Sequence, residues 1–194
     1  MEVIVHFVFE LIKISILGCI YASLTLVTFI LIGRKYPDSW FGKVSRKKLR
    51  LWFLSGLTIS IGLFFYMFTY WGNHGLGDGP QIPIGNGEII SNTNWVDNCY
   101  LLNGKDNNGN GVDIAKFLVS NNKLCAKFDG ETFYDYKNEY FVFDLTTKKT
   151  QEFETEIKYN QFAKTNNLPL STQLQSFSDN YSDHWHGWRF VLLP

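Results

Sequence analysis

Two stretches of the chain carry no charged residue at all: 14–32 reads ISILGCIYASLTLVTFILI and 51–71 reads LWFLSGLTISIGLFFYMFTYW. At 1.5 Å per helical residue, about 20 residues cross a hydrocarbon layer of roughly 30 Å, and in lipid a helix satisfies its own backbone. The pattern predicts two transmembrane helices. A cleaved signal peptide fits poorly, because Glu2 and Glu10 stand where a basic leader segment would be and no small-x-small cleavage site follows. Trp52 at one end of the second run, and Tyr66, Tyr70 and Trp71 at the other, match interfacial aromatic belts.

The intervening residues 33–50 contain Arg34, Lys35, Lys43, Arg46, Lys47, Lys48 and Arg50 against one acid, Asp38. Such an excess of cations predicts a cytoplasmic loop, with both termini on the other side of a bacterial inner (plasma) membrane. It is also suited to anionic lipid headgroups. Glu10 and Lys13 share a helical face near the outer end of the first span and can reach the interface. Ser23 and Thr25, with Ser55, Gly56, Ser60 and Gly62, are small enough to let the two helices approach closely. Residues 1–71 thus read as a two-span hairpin.

Periodicity changes after Trp71. Residues 72–87 pack six Gly and two Pro into 16 positions and read as a linker or a set of turns. Strand-like runs follow at 88–91, 95–102, 112–120, 124–129, 139–145 and 150–153, separated by Asn- and Gly-rich turns. Two helical segments close the chain, one capped by Thr155 and one by Ser171. The expected core draws on Trp95, Phe117, Phe128, Phe141, Phe143, Phe162, Phe177, Trp185 and Trp188. The fold class is a membrane protein with two transmembrane α-helices plus an extracytoplasmic α+β domain, mainly antiparallel β, at 88–194.

Composition alone hides this division: 45% hydrophobic residues and 18 cations against 18 anions suit an ordinary globular chain. Residues 72–194 hold 10 Lys plus Arg and 15 Asp plus Glu, a net charge of −5. No nucleic-acid partner is expected for such a domain.

Candidate chemistry is sparse. Cys99 and Cys125 fall in the proposed outer domain, where an oxidising compartment favours a disulfide between them; two buried free thiols are the alternative. Asp106, Asn108 and Asn110, followed by Gly111, start like a calcium loop with Asp113 as a substitute ligand, but Phe117 stands where the bidentate Glu belongs. His184 and His186 could contribute to a metal site, though no further ligands are signalled. Nucleophile-elbow, phosphate-loop, zinc-protease and dinucleotide signatures are missing, so neither an enzymatic activity nor a cofactor is expected. The alternating Glu152, Glu154 and Glu156 read as a solvated face.

The expectation is an accessory or immunity-like membrane protein whose outer domain captures a protein partner through Tyr181, His184, Trp185, His186, Trp188 and Arg189, residue types common in binding hot spots. In layout, two spans followed by a β-rich domain, the chain also resembles the two-span β-barrel effectors of bacterial anti-phage signalling. That resemblance implies a cytoplasm-facing domain that binds a small ligand and acts on the membrane by homo-oligomerising. Orientation separates the two readings.

Overall fold

The computed structural model describes residues 2–72, 79–93, 99–105, 111–130 and 138–194. Contacts divide the chain into two compact units, 1–75 with 187–194, and 76–186.

In the first unit, α1 (Glu2–Lys35), α2 (Trp40–Ser45) and α3 (Lys48–Tyr66) follow one another. Both α1 and α3 are long and apolar enough to cross a membrane. Helix α3 stops five residues before the apolar run does, because 67–72 coil into turns in which the Thr69 hydroxyl donates to the Tyr66 carbonyl at 2.7 Å. The two long helices touch through small residues. A Cβ on Gly18 would lie 2.2 Å from Ser60 Oγ, and one on Gly56 3.4 Å from the Ala22 Cβ. Trp52 Nε1 donates to Ser23 Oγ at 3.0 Å. Gly62, grouped with the small interface residues by sequence, faces open space instead. The loop is folded: Ser39 caps α2, its Oγ accepting from Gly42 N at 3.2 Å. A fourth helical turn in this unit, α6 (Trp188–Leu192), lies against α1: the Tyr21 hydroxyl donates to the Leu192 carbonyl at 2.6 Å, and Lys13 Nζ sits 4.6 Å from the Phe190 ring centre.

The second unit is an antiparallel sheet of seven strands in chain order: β1 (Gln81–Gly85), β2 (Glu88–Asn92), β3 (Cys99–Lys105), β4 (Gly111–Ser120), β5 (Lys123–Phe128), β6 (Tyr140–Asp144) and β7 (Thr150–Phe153). Strand β1 lies within the Gly- and Pro-rich segment 72–87 that reads from sequence as a linker or a set of turns. Ile82 and Ile84 alternate with partly exposed residues, and Asn86 and Gly87, with φ of 50° and 79°, form the tight turn that pairs Gly85 with Glu88. Pro83 is tolerated because β1 is an edge strand.

The sheet curls. Lys148, in the turn after β6, reaches the Asn86 carbonyl at 2.9 Å and Glu88 Oε1 at 2.7 Å, at the first hairpin. One face carries a core that includes Ile82, Ile90, Leu101, Ile114, Phe117, Phe141 and Phe143, and Phe177 of α5 (Phe177–Trp185) joins it. On the other face Cys125, Tyr140, Val142 and Phe153 pack with Tyr159 and Ala163 of α4 (Glu156–Thr165), which Thr155 caps as expected. The second helix does not start at Ser171. Ser171–Gln173 make one 3-10 turn, and Ser176 caps α5, its Oγ accepting from Asp179 N at 3.1 Å. Of the expected core, Phe162 is only partly buried, Trp188 is 61% exposed, and Trp95 lies outside the described residues.

Candidate functional site

The segment singled out from sequence divides at Gly187, where the chain passes from the second unit to the first. On α5, Phe177, Tyr181 and Trp185 recur every fourth residue and form one stripe. Phe177 stacks on Tyr181 with ring centres 5.8 Å apart, and Trp185 follows at 6.2 Å. This stripe is packing surface: Phe177 and Trp185 are buried, and Trp185 Nε1 donates to the Gln81 carbonyl at 3.1 Å. His184 packs edge-on to Trp185, and His186 is exposed, with Nδ1 3.5 Å from Ser182 Oγ. Trp188 and Arg189 belong to the unit that holds the hairpin, where the guanidinium lies 5.3 Å from its neighbour's indole.

The disulfide expectation is corrected. Cys99 and Cys125 are both free and buried. Cys99 pairs with Ile114 on β4, which pairs with Phe128 on β5; Cys125 therefore stands two strands across and three residues along. With about 4.8 Å between strands and about 3.3 Å per residue, the Cα atoms are well over 10 Å apart, beyond the reach of a bridge. The side chains also point to opposite faces, since Cys99 belongs to the first core and Cys125 to the second. The Cys99 thiol donates to the Ile114 carbonyl at 3.3 Å. Burial pushes it far up, and the nearby Asp113 and Asp129 charges add to this. Burial also raises Cys125, partly offset by its hydrogen bond with Tyr159 and by Lys123.

Asp106, Asn108 and Asn110 lie outside the described residues, while Asp113 sits on β4 opposite Tyr100. No group of three or more His, Cys, Asp or Glu is placed to hold a metal among the described residues.

The most distinctive surface of the second unit is acidic. The backbone N–H of Glu139 donates to the Phe153 carbonyl at 3.0 Å, which places Glu139 beside the end of edge strand β7. Glu152, Glu154 and Glu156 follow one another from β7 into α4, all exposed. Tyr140 registers the charge: burial raises its phenol, and Glu156 and Glu139 raise it further. Glu154 is bridged to Lys158 one turn along α4. Glu139, Glu152 and Glu156 have no ion pair among the described residues; Glu152 accepts from the Asn138 amide and Glu156 from the Ser171 hydroxyl at 2.6 Å. Ile157, between Glu156 and Lys158 at the start of α4, is 71% exposed. The alternating glutamates were visible in sequence. Their concentration with Glu139 was not, because it depends on the pairing of β6 with β7.

Asp144, by contrast, is engaged. It bridges Lys123 at 2.8 Å and accepts from the N–H groups of Thr146 and Thr147, which together hold its carboxyl far below the usual range. No protein-family model matches the sequence, and no curated protein or solved structure matches it either.

Proposed function

We propose that this is a small, two-span integral membrane protein whose C-terminal domain binds a basic protein partner outside the cytoplasm. The binding reading is carried by the acidic edge of Glu139, Glu152, Glu154 and Glu156, with exposed Ile157 next to Glu156 on α4. Clustered like charge destabilises a free surface and steers an oppositely charged partner, while an exposed apolar side chain next to it supplies desolvated contact. Membrane insertion is supported by the exposure of the hairpin. Helix α3 has no buried residue, and Phe53, Leu57, Ile61 and Phe65 are all about half exposed or more, a surface untenable in water but ordinary in lipid. The seven loop cations support a cytoplasmic loop.

One observation favours a second reading. Two unbridged buried thiols suit a reducing compartment, and so a cytoplasm-facing ligand receptor that assembles in the membrane. Both readings meet in one pair of measurements. In a Cys19→Ala background, Lys149→Cys at the exposed β6–β7 turn is to be labelled in intact cells by a membrane-impermeant maleimide; labelling only after permeabilisation overturns the outer placement. A photocrosslinking residue at position 157 is to give a discrete adduct that disappears when Glu152, Glu154 and Glu156 become Gln. No adduct, or one indifferent to those changes, overturns the binding surface.

A further inference from the structure

At the loop end of the hairpin a cavity of about 280 Å³ opens between α1, the residues before α2, and the start of α3. Its size is near the lower limit of small-molecule sites, enough for a small polar group rather than a large ligand. Backbone contacts shape it. A Cβ on Gly33 would come within 3.0 Å of the Gly42 Cα, and one on Gly42 within 2.4 Å of the Pro37 carbonyl oxygen, so the loop folds back on the end of α1.

This fold brings Arg34 from the end of α1, Arg46 from the turn after α2 and Lys48 from the first position of α3 around one cavity, with no carboxylate in its wall. None of the three forms an ion pair among the described residues. The 19-residue α3 begins there, and its N-cap residue Lys47 makes no side-chain capping bond, so the positive end of the helix faces the same place without a cap of its own. Ile30 supplies an apolar wall continuous with the span. Three cations, an uncapped helix start and an apolar wall at the junction of apolar helix and polar loop describe a receptor for a phosphate group with hydrocarbon beside it.

We propose that this cavity binds a phosphate group, carried either by an anionic phospholipid or by a soluble phosphate. The site stands on the loop geometry alone and is independent of which side the C-terminal domain occupies.

The test uses the full chain purified in an uncharged detergent and titrated calorimetrically with three probes: short-chain phosphatidylglycerol, phosphatidylcholine of the same chain length, and inorganic phosphate. Saturable binding of phosphatidylglycerol, absent with phosphatidylcholine and inorganic phosphate, assigns the lipid; comparable binding of inorganic phosphate assigns the soluble group. In either case Arg34→Gln with Arg46→Gln and Lys48→Gln is expected to weaken binding by about tenfold or more. Lys35→Gln with Lys43→Gln, neighbouring cations outside the cavity wall, is expected to leave it unchanged. Gly42→Ala, which alters no charge but presses on the Pro37 carbonyl, is expected to weaken it as well. If the triple variant does not fold, the single Arg46→Gln and Lys48→Gln variants carry the comparison. Absence of saturable binding by phosphatidylglycerol and by inorganic phosphate, equal affinity for phosphatidylcholine, or an equal loss in the Lys35/Lys43 pair overturns the proposal.

Discussion

The indole of Trp185 donates its hydrogen bond to the backbone carbonyl of Gln81, 104 positions earlier in the chain, and so ties α5 to the edge strand β1. Only 7% exposed, this ring fills space between the first strand and the last helix of its unit. Trp185→Ala is therefore expected to lower unfolding stability by about 3–5 kcal/mol. Trp185→Phe keeps most of the apolar contact and is expected to lose about 1 kcal/mol for the bond. Trp188→Ala, at a position 61% exposed, is expected to change stability by less than about 0.5 kcal/mol. Chemical denaturation of the purified full chain ranks the three, and equal losses at 185 and 188 would contradict the packing.

The two domain thiols are expected to stay silent in the native protein. Burial keeps Cys99 and Cys125 protonated, and the thiolate is the reactive form. In a Cys19→Ala background, a thiol-specific chromophore should titrate no cysteine at pH 8 without denaturant and two with it. Reducing and non-reducing gels should give one mobility.

Asp144 gives a pH dependence with a defined sign. Its folded-state carboxyl is depressed, first by Lys123 and then by the Thr147 N–H, below the ordinary unfolded value of about 3.9. The stability it contributes is thus fully present above that value and is lost as pH falls through it towards the folded-state range. Melting temperatures of the wild type and Asp144→Asn, followed from pH 7 to pH 3, should converge on acidification. A gap that stays constant would show that the carboxylate charge is not what holds the turn.

Sequence pattern and structure agree where one signal dominates. Uncharged length marked α1 and α3, and β-rich runs between Asn- and Gly-rich turns marked the strands from β2 to β7, even where both faces are covered and Leu124, Cys125 and Ala126 are buried in succession. Disagreement came where a local signal competed with a tertiary one. Gly and Pro density in 72–87 concealed the Ile82–Ile84 alternation and the Asn86–Gly87 turn, which only pairing with β2 turns into a hairpin. On α5 the core expectation for Phe177 and Trp185 holds, while Trp185 also stood among the binding candidates with Tyr181, because sequence cannot tell a core stripe from an exposed one. The cysteine pair was judged by separation along the chain, whereas the face of the sheet decides it. Neither the acidic edge nor the cationic cavity could be read from spacing, since each gathers residues from separate elements.

The Asn86–Gly87 turn provides a direct check on the strand that sequence concealed. Gly87 sits at φ 79° with open space around the position of a Cβ, so the cost of a side chain there is conformational rather than steric. Gly87→Ala is expected to destabilise by about 1–2 kcal/mol. Asn86→Gly, at φ 50°, relieves a milder constraint and should be close to neutral, because glycine's easier left-handed geometry offsets its greater freedom when unfolded. Gly79→Ala, also in open space but without positive φ, is the matched control and should cost less than about 0.5 kcal/mol. Were Gly87→Ala as mild as Gly79→Ala in the same denaturation experiment, residues 81–91 could not be paired through this turn, and the edge on which Trp185 rests would need another origin.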